Sequence, residues 1–304
     1  KNKVGIALRR GEGNTDSMGA KVFDNLVIPY TGNGLAALVN GYKIIGIFVQ
    51  DFAGVEIRGN KIGTSFTDRD AQDWIAILVM QAAFPPTQRG VIVINDNQID
   101  YSQQRGPYLS KNDNTHFIHF VGDRPSSTLQ MQGNSFTHTA GTCGQVQIKG
   151  AHEFNFGGNV FSDTNSSNVD RPAVLITETS SVNATGNTFA NRQACLKYTS
   201  PTPGDWSSLA QLIFANNTVQ ASAANDDTIV TTDGQVGAIV SGNIRYRLDI
   251  GAVYVDSRLL IATNAGANSK FVLMGNLLRQ TNYSTTNYYQ IDGVDGATSA
   301  NILA

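Results

Sequence analysis

Apolar and polar residues alternate through Val182-Asn183-Ala184-Thr185; the chain then passes Gly186-Asn187 and returns to an apolar residue at Phe189. Alternation with period two turns Val182 and Ala184 to one face and Asn183 and Thr185 to the other, as a half-buried strand requires. Gly186 permits a backbone bend and Asn187 suits one. Variants of this pattern recur at residues 55–62, 92–99, 129–136, 154–161, 212–219, 238–244 and 271–278. The asparagines that share the bend are 60, 97, 134, 159, 187, 217, 243 and 276, with successive spacings of 37, 37, 25, 28, 30, 26 and 33.

A repeat of variable length near that period predicts a solenoid, because no single unit can bury its own apolar face. Period two excludes a helical repeat. Each repeat also carries an earlier apolar strand, such as residues 46–49 or 173–176. Two or three short strands per turn, with constant inward positions and variable turns, predict an all-β fold: a right-handed parallel β-helix forming one elongated domain. Rungs then stack about 4.8 Å apart, and the asparagines form a ladder along one corner. The regular rungs are placed at 46–279, after irregular early rungs in 1–45. The Thr-, Asn- and Tyr-rich tail, 280–304, loses the motif and is expected to be a cap or an arm toward another subunit. Insertions at 63–73, 82–88, 101–115, 200–208 and 264–268 are expected to leave the coil and shape a groove.

Composition narrows the function classes. A net charge of −2 and a charged fraction of 15 % mark neither a nucleic-acid binder nor a membrane-surface binder. No apolar run approaches the roughly 20 residues that span a bilayer. The two cysteines, Cys143 and Cys195, are expected as buried thiols, which fits synthesis in a reducing cytoplasm. No zinc-type spacing and no phosphate-cradling glycine loop is present, so no cofactor is expected.

Alignment on the asparagine points the residues three and five before it inward and the residue four before it outward. That outward column (Glu56, Val93, Gln130, Asn155, Asn183, Ile213, Ile239, Val272) is partly apolar, and its apolar part is expected to pack against another subunit. The corner ahead of the Asn-bearing strand holds the chemistry: Gly122-Asp123-Arg124, then Lys149-Gly150-Ala151-His152-Glu153, then Thr177-Glu178. Stacked rungs bring Asp123, Glu153 and Glu178 into one cluster, and carboxylates about 5 to 10 Å apart are what glycoside hydrolysis uses. Mutual repulsion in such a cluster raises one of the acids. Lys149, Arg124, Lys197 and Tyr198 are expected to bind an acidic sugar, His152 to orient or relay a proton, and Trp74 to stack on a sugar. Pairing of the acids with Arg124 and Lys149 as ordinary surface ion pairs is the competing reading. A second acidic group, Asp68, Asp70 and Asp73 beside Arg69 and Trp74, is a lip of the groove, a solvated loop, or a calcium trio of the kind a lyase uses.

The repeated Ile/Val-x-x-Gly-Asn-x-Phe/Ile pattern over residues 46–279 resembles the pectin-lyase-like β-helix superfamily, and within it the bacteriophage tailspike polysaccharide depolymerases. The resemblance implies a homotrimer on the virion that binds and hydrolyses bacterial capsule or O-antigen polysaccharide. It carries no catalytic motif over, since tailspikes share a scaffold rather than a site. A polysaccharide lyase of the same fold and a non-catalytic glycan-binding fibre remain the alternatives.

Overall fold

The computed structural model describes residues 4–9, 19–28, 44–63, 74–81, 90–101, 116–122, 127–138, 145–163, 172–190, 194–201, 210–221, 227–247, 257–265, 269–279, 289–291 and 300–303. These residues form a right-handed parallel β-helix of three sheets. Sheets A and B have ten strands each and sheet C has nine, and the strands of each sheet recur in chain order, every third one joining the same sheet. A typical rung runs Gln145–Lys149 in sheet A, Glu153–Gly157 in sheet B and Val160–Asp163 in sheet C. All inter-strand ladders among the described residues are parallel, with one register shift between His116 and Ile118; a regular example is Phe154 beside Leu129 on one side and Val182 on the other.

Pairing continues beyond residues 46 and 279. Val4–Arg9 joins sheet A against Ile44–Gln50, Gly19–Phe23 joins sheet B, and Tyr289–Ile291 and Ala300–Leu303 add the last strands of sheets A and B. Among the described residues no helix is long and apolar enough to cross a membrane.

Inward positions fill one continuous core, with Ile57, Ile94, Met131, Phe156, Ala184, Phe214 and Val240 stacked along sheet B. Sheet C contributes a column of rings: Phe136 and Phe161 lie 4.6 Å apart, and Phe161 and Phe189 5.2 Å apart and nearly parallel. Each fully buried ring contributes about 2 to 3 kcal/mol by removal from water. Beyond Phe189 the column passes through Val219 to Arg245, whose side chain is buried where earlier rungs place Ile, Phe or Val. Outside this core, Ile45, Phe48, Ile75 and Leu78 form a second buried apolar cluster on sheet A.

The bend from sheet B to sheet C explains the repeated asparagine. Nine rungs place a left-handed residue there, φ +53° to +69°, filled by Gly six times, Asp24 and Asp96, and Asn216. The next residue is always asparagine: 25, 60, 97, 134, 159, 187, 217, 243 and 276. Each Oδ1 from Asn60 onward accepts the backbone N–H and the Nδ2 of the asparagine one rung earlier; Asn159 takes both from Asn134, at 3.0 and 2.9 Å. The Nδ2 of Asn159 also donates to the Met131 and Gly157 carbonyls. The polar groups of a buried corner are thereby satisfied without water.

Candidate functional site

The bend from sheet A to sheet B is a second row of left-handed residues: Asp51, Gly150, Glu178, Gly234 and Asn264. Gly, Asn and Asp are the residues that tolerate this region. Glu178, at φ +51°, is the departure. A glutamate there costs on the order of 1 kcal/mol. Its side chain is about half exposed, and Oε1 lies 3.4 Å from Nζ of Lys149, the residue preceding the left-handed Gly150 one rung earlier. Both side chains are solvated, so this pair contributes well under about 1 kcal/mol.

Glu153 opens the sheet B strand of the rung before Glu178, in register with Ser181. It is half-buried and accepts a hydrogen bond from Asn155 Nδ2 at 2.9 Å. Three residues along the chain and one rung across separate Glu178 from Glu153, a Cα distance of no more than about 11 Å. Glu178 therefore sits on the corner and Glu153 at the near edge of sheet B's outer face. His152 is half-buried between them; its N–H donates to the Ser127 carbonyl, and its imidazole has no hydrogen-bond partner among the described residues.

Lys149 and Lys197 are exposed on the outer face of sheet A. Lys197 stands in one column with His119, Gln147 and Leu175. His119 is largely buried, and that burial, with Lys149 nearby, lowers its imidazole to about 4. It is neutral at physiological pH and acts there as a hydrogen-bonding group, not as a cation. Its ring lies 5.1 Å from that of His116.

Tyr198 corrects the sequence expectation. Adjacent strand residues point to opposite faces, so exposed Lys197 turns Tyr198 inward. The phenol is fully buried in the core and donates to the Thr179 and Ser180 carbonyls inside the A-to-B bend. Burial pushes its pKa up. Tyr198 supports the corner from beneath and takes no part in a surface site.

The remaining candidates fall elsewhere. Asp123 and Arg124 lie outside the described residues, as do Asp68, Arg69, Asp70, Asp73 and Cys143. Trp74 begins the sheet A strand Trp74–Gln81, paired with Ile44, and only its backbone is described. Cys195 is buried in the core. Among the described residues no group of His, Cys, Asp and Glu has the geometry to hold a metal ion.

The sequence reading passed over Asp233. Thr177, Thr199 and Asp233 stand in register across three rungs, which puts Asp233 in the row of Lys149, one residue before the corner row of Glu178 and two rungs on. Its Oδ1 accepts from Thr263 Oγ1 at 3.2 Å and Asn264 Nδ2 at 2.8 Å, so it braces the next corner. No family model matches the chain, and neither a curated protein nor a solved structure does.

Proposed function

We propose that this protein binds and hydrolyses a bacterial surface polysaccharide, capsule or O-antigen, as a tailspike-type depolymerase. The reading rests on one observation: Glu178 occupies a left-handed backbone position that other described rungs give to Gly, Asn or Asp, with Glu153 one rung away on the same corner. Strain held at an exposed side chain points to a role for that side chain. Two carboxyls hydrolyse a glycosidic bond when one gives a proton to the leaving oxygen and the other activates water or attacks the sugar carbon. With Cα atoms no more than about 11 Å apart, flexible glutamate side chains can reach the carboxyl spacing such a pair uses. The homotrimer on a virion rests on the resemblance; the exposed apolar positions Ile213 and Ile239, with Val272 in the same column, offer a face that a second subunit would cover.

A non-catalytic glycan-binding fibre is the second reading. The solvated Lys149–Glu178 pair favours it, because surface ion pairs of this kind are common without chemistry. The two separate by incubating the protein with capsules of several bacterial types and assaying reducing ends. Glu178→Gln and Glu153→Gln should each bind the polymer and lower release at least about 100-fold, the scale of a lost general acid or base. Unchanged release from both discards this site. Products absorbing through a new C=C bond would make the enzyme a lyase.

A further inference from the structure

The outer face of sheet B, between the apolar positions Val93 and Ile213, carries a second column of amides. Gln130, Asn155 and Asn183 stand in register on successive rungs, about 10 Å from first to last. They differ from the interior ladder in one respect. Interior asparagines bond to one another in series, whereas these three make no bond to each other. Asn155 spends its Nδ2 on Glu153. Asn183 accepts only from Thr185 Oγ1, at 2.6 Å. Gln130 has no side-chain hydrogen bond among the described residues. The flanking outer columns add Gln132, Thr185 and Ser181, and among all the outward positions of these three strands only Glu153 is charged. The panel therefore presents amides and hydroxyls with one carboxylate at its edge.

We infer that this panel is the binding face for an uncharged, polyhydroxylated glycan segment lying along the helix axis. Each amide offers a donor pair and an acceptor in one plane, which matches neighbouring sugar hydroxyls. Val93 and Ile213 at its two ends offer apolar surface to the C–H faces of sugars. The nearest cations each face a carboxylate or another sheet: Arg58, in the Gln132 column two rungs earlier, pairs with Glu56, Lys149 faces Glu178, and Lys197 lies on sheet A around the corner. The inference deepens the hydrolase reading by naming a neutral substrate and by seating Glu153 beside it through Asn155. It replaces the acidic sugar that the lysines suggested from sequence.

The test is equilibrium binding of the full chain to a panel of neutral and uronate-bearing bacterial capsules, in 0.05 M and 0.5 M NaCl. A neutral capsule should bind, with affinity changing less than about twofold between the two salts, because uncharged contacts are not screened. Asn183→Ala and Gln130→Ala, which do not touch Glu153, should together weaken that binding by about tenfold or more. Lys197→Gln should leave it unchanged, with circular dichroism confirming that each variant is folded. Binding confined to uronate-bearing capsules, steeply salt-dependent and lost in Lys197→Gln, overturns the inference; so does neutral binding indifferent to both amide changes. Amide-dependent neutral binding with no reducing ends released would leave this face standing and defeat the hydrolase.

Discussion

Asn159 receives both hydrogen bonds that Asn134 sends along the corner, one from its backbone N–H and one from its side-chain amide, while its own amide passes the connection to Asn187. One side chain thus satisfies donors and acceptors on three rungs.

Asn159→Ala should therefore cost more than one hydrogen bond's worth. It strands the Asn134 donors and takes the side-chain donor from the buried Met131 carbonyl, each a penalty of about 1 to 3 kcal/mol, while Asn187 Oδ1 keeps the backbone N–H of residue 159. A total loss of roughly 3 to 5 kcal/mol is expected in denaturant unfolding. Asn25→Ala should cost about 1 kcal/mol, since Asn25 lies at the ladder's end and its bonds are partly exposed. Equal losses at both positions would show that the ladder does not act in series.

Glu178→Gly relieves the left-handed backbone and should raise stability by up to about 1 kcal/mol, the exposed Lys149 pair offsetting little. Reducing-end release should disappear in the same variant. Thermal melting and the release assay on one preparation check both. A less stable Glu178→Gly protein would mean that the glutamate is structural.

His119 predicts an acid limit. Its folded value of about 4 lies below the ordinary 6.5, so the unfolded chain binds the proton more readily. Stability from the neutral imidazole is present above pH 6.5 and drains away as pH falls toward 4, by about 3 kcal/mol at most. Melting temperature followed across that window should fall in the wild type, and less steeply in His119→Gln. Parallel curves would assign the acid response to other groups.

The coil was legible because its signals are local and repeated: period two sets the inward face, and a left-handed residue followed by asparagine marks each bend. The rule failed where its tokens changed. Asn25 belongs to the ladder, but Asp24 replaces glycine and the strand after it is the two-residue Leu26–Val27, so the residues read as an irregular early rung. In the strand His116–Gly122, a register irregularity between His116 and Ile118 gives the adjacent Phe117 and Ile118 both to the core, which strict alternation does not predict. Tyr198 was within reach of the period-two rule, since it and Lys197 cannot share a face. The site was less legible than the fold. Glu153 and Glu178 were placed on one corner from rung alignment, but the backbone strain at Glu178 and the idle amides of Gln130 and Asn183 arise from three-dimensional context that no spacing encodes.

Along the asparagine spine, each backbone N–H and one Nδ2–H point to the side-chain oxygen of the later rung, and each Oδ1 points to the earlier one. The molecule consequently has a grain, like a zip that runs one way. Anything that prolongs this spine must meet it head to tail, acceptor to donor, since two like ends would oppose carbonyl to carbonyl or amide to amide.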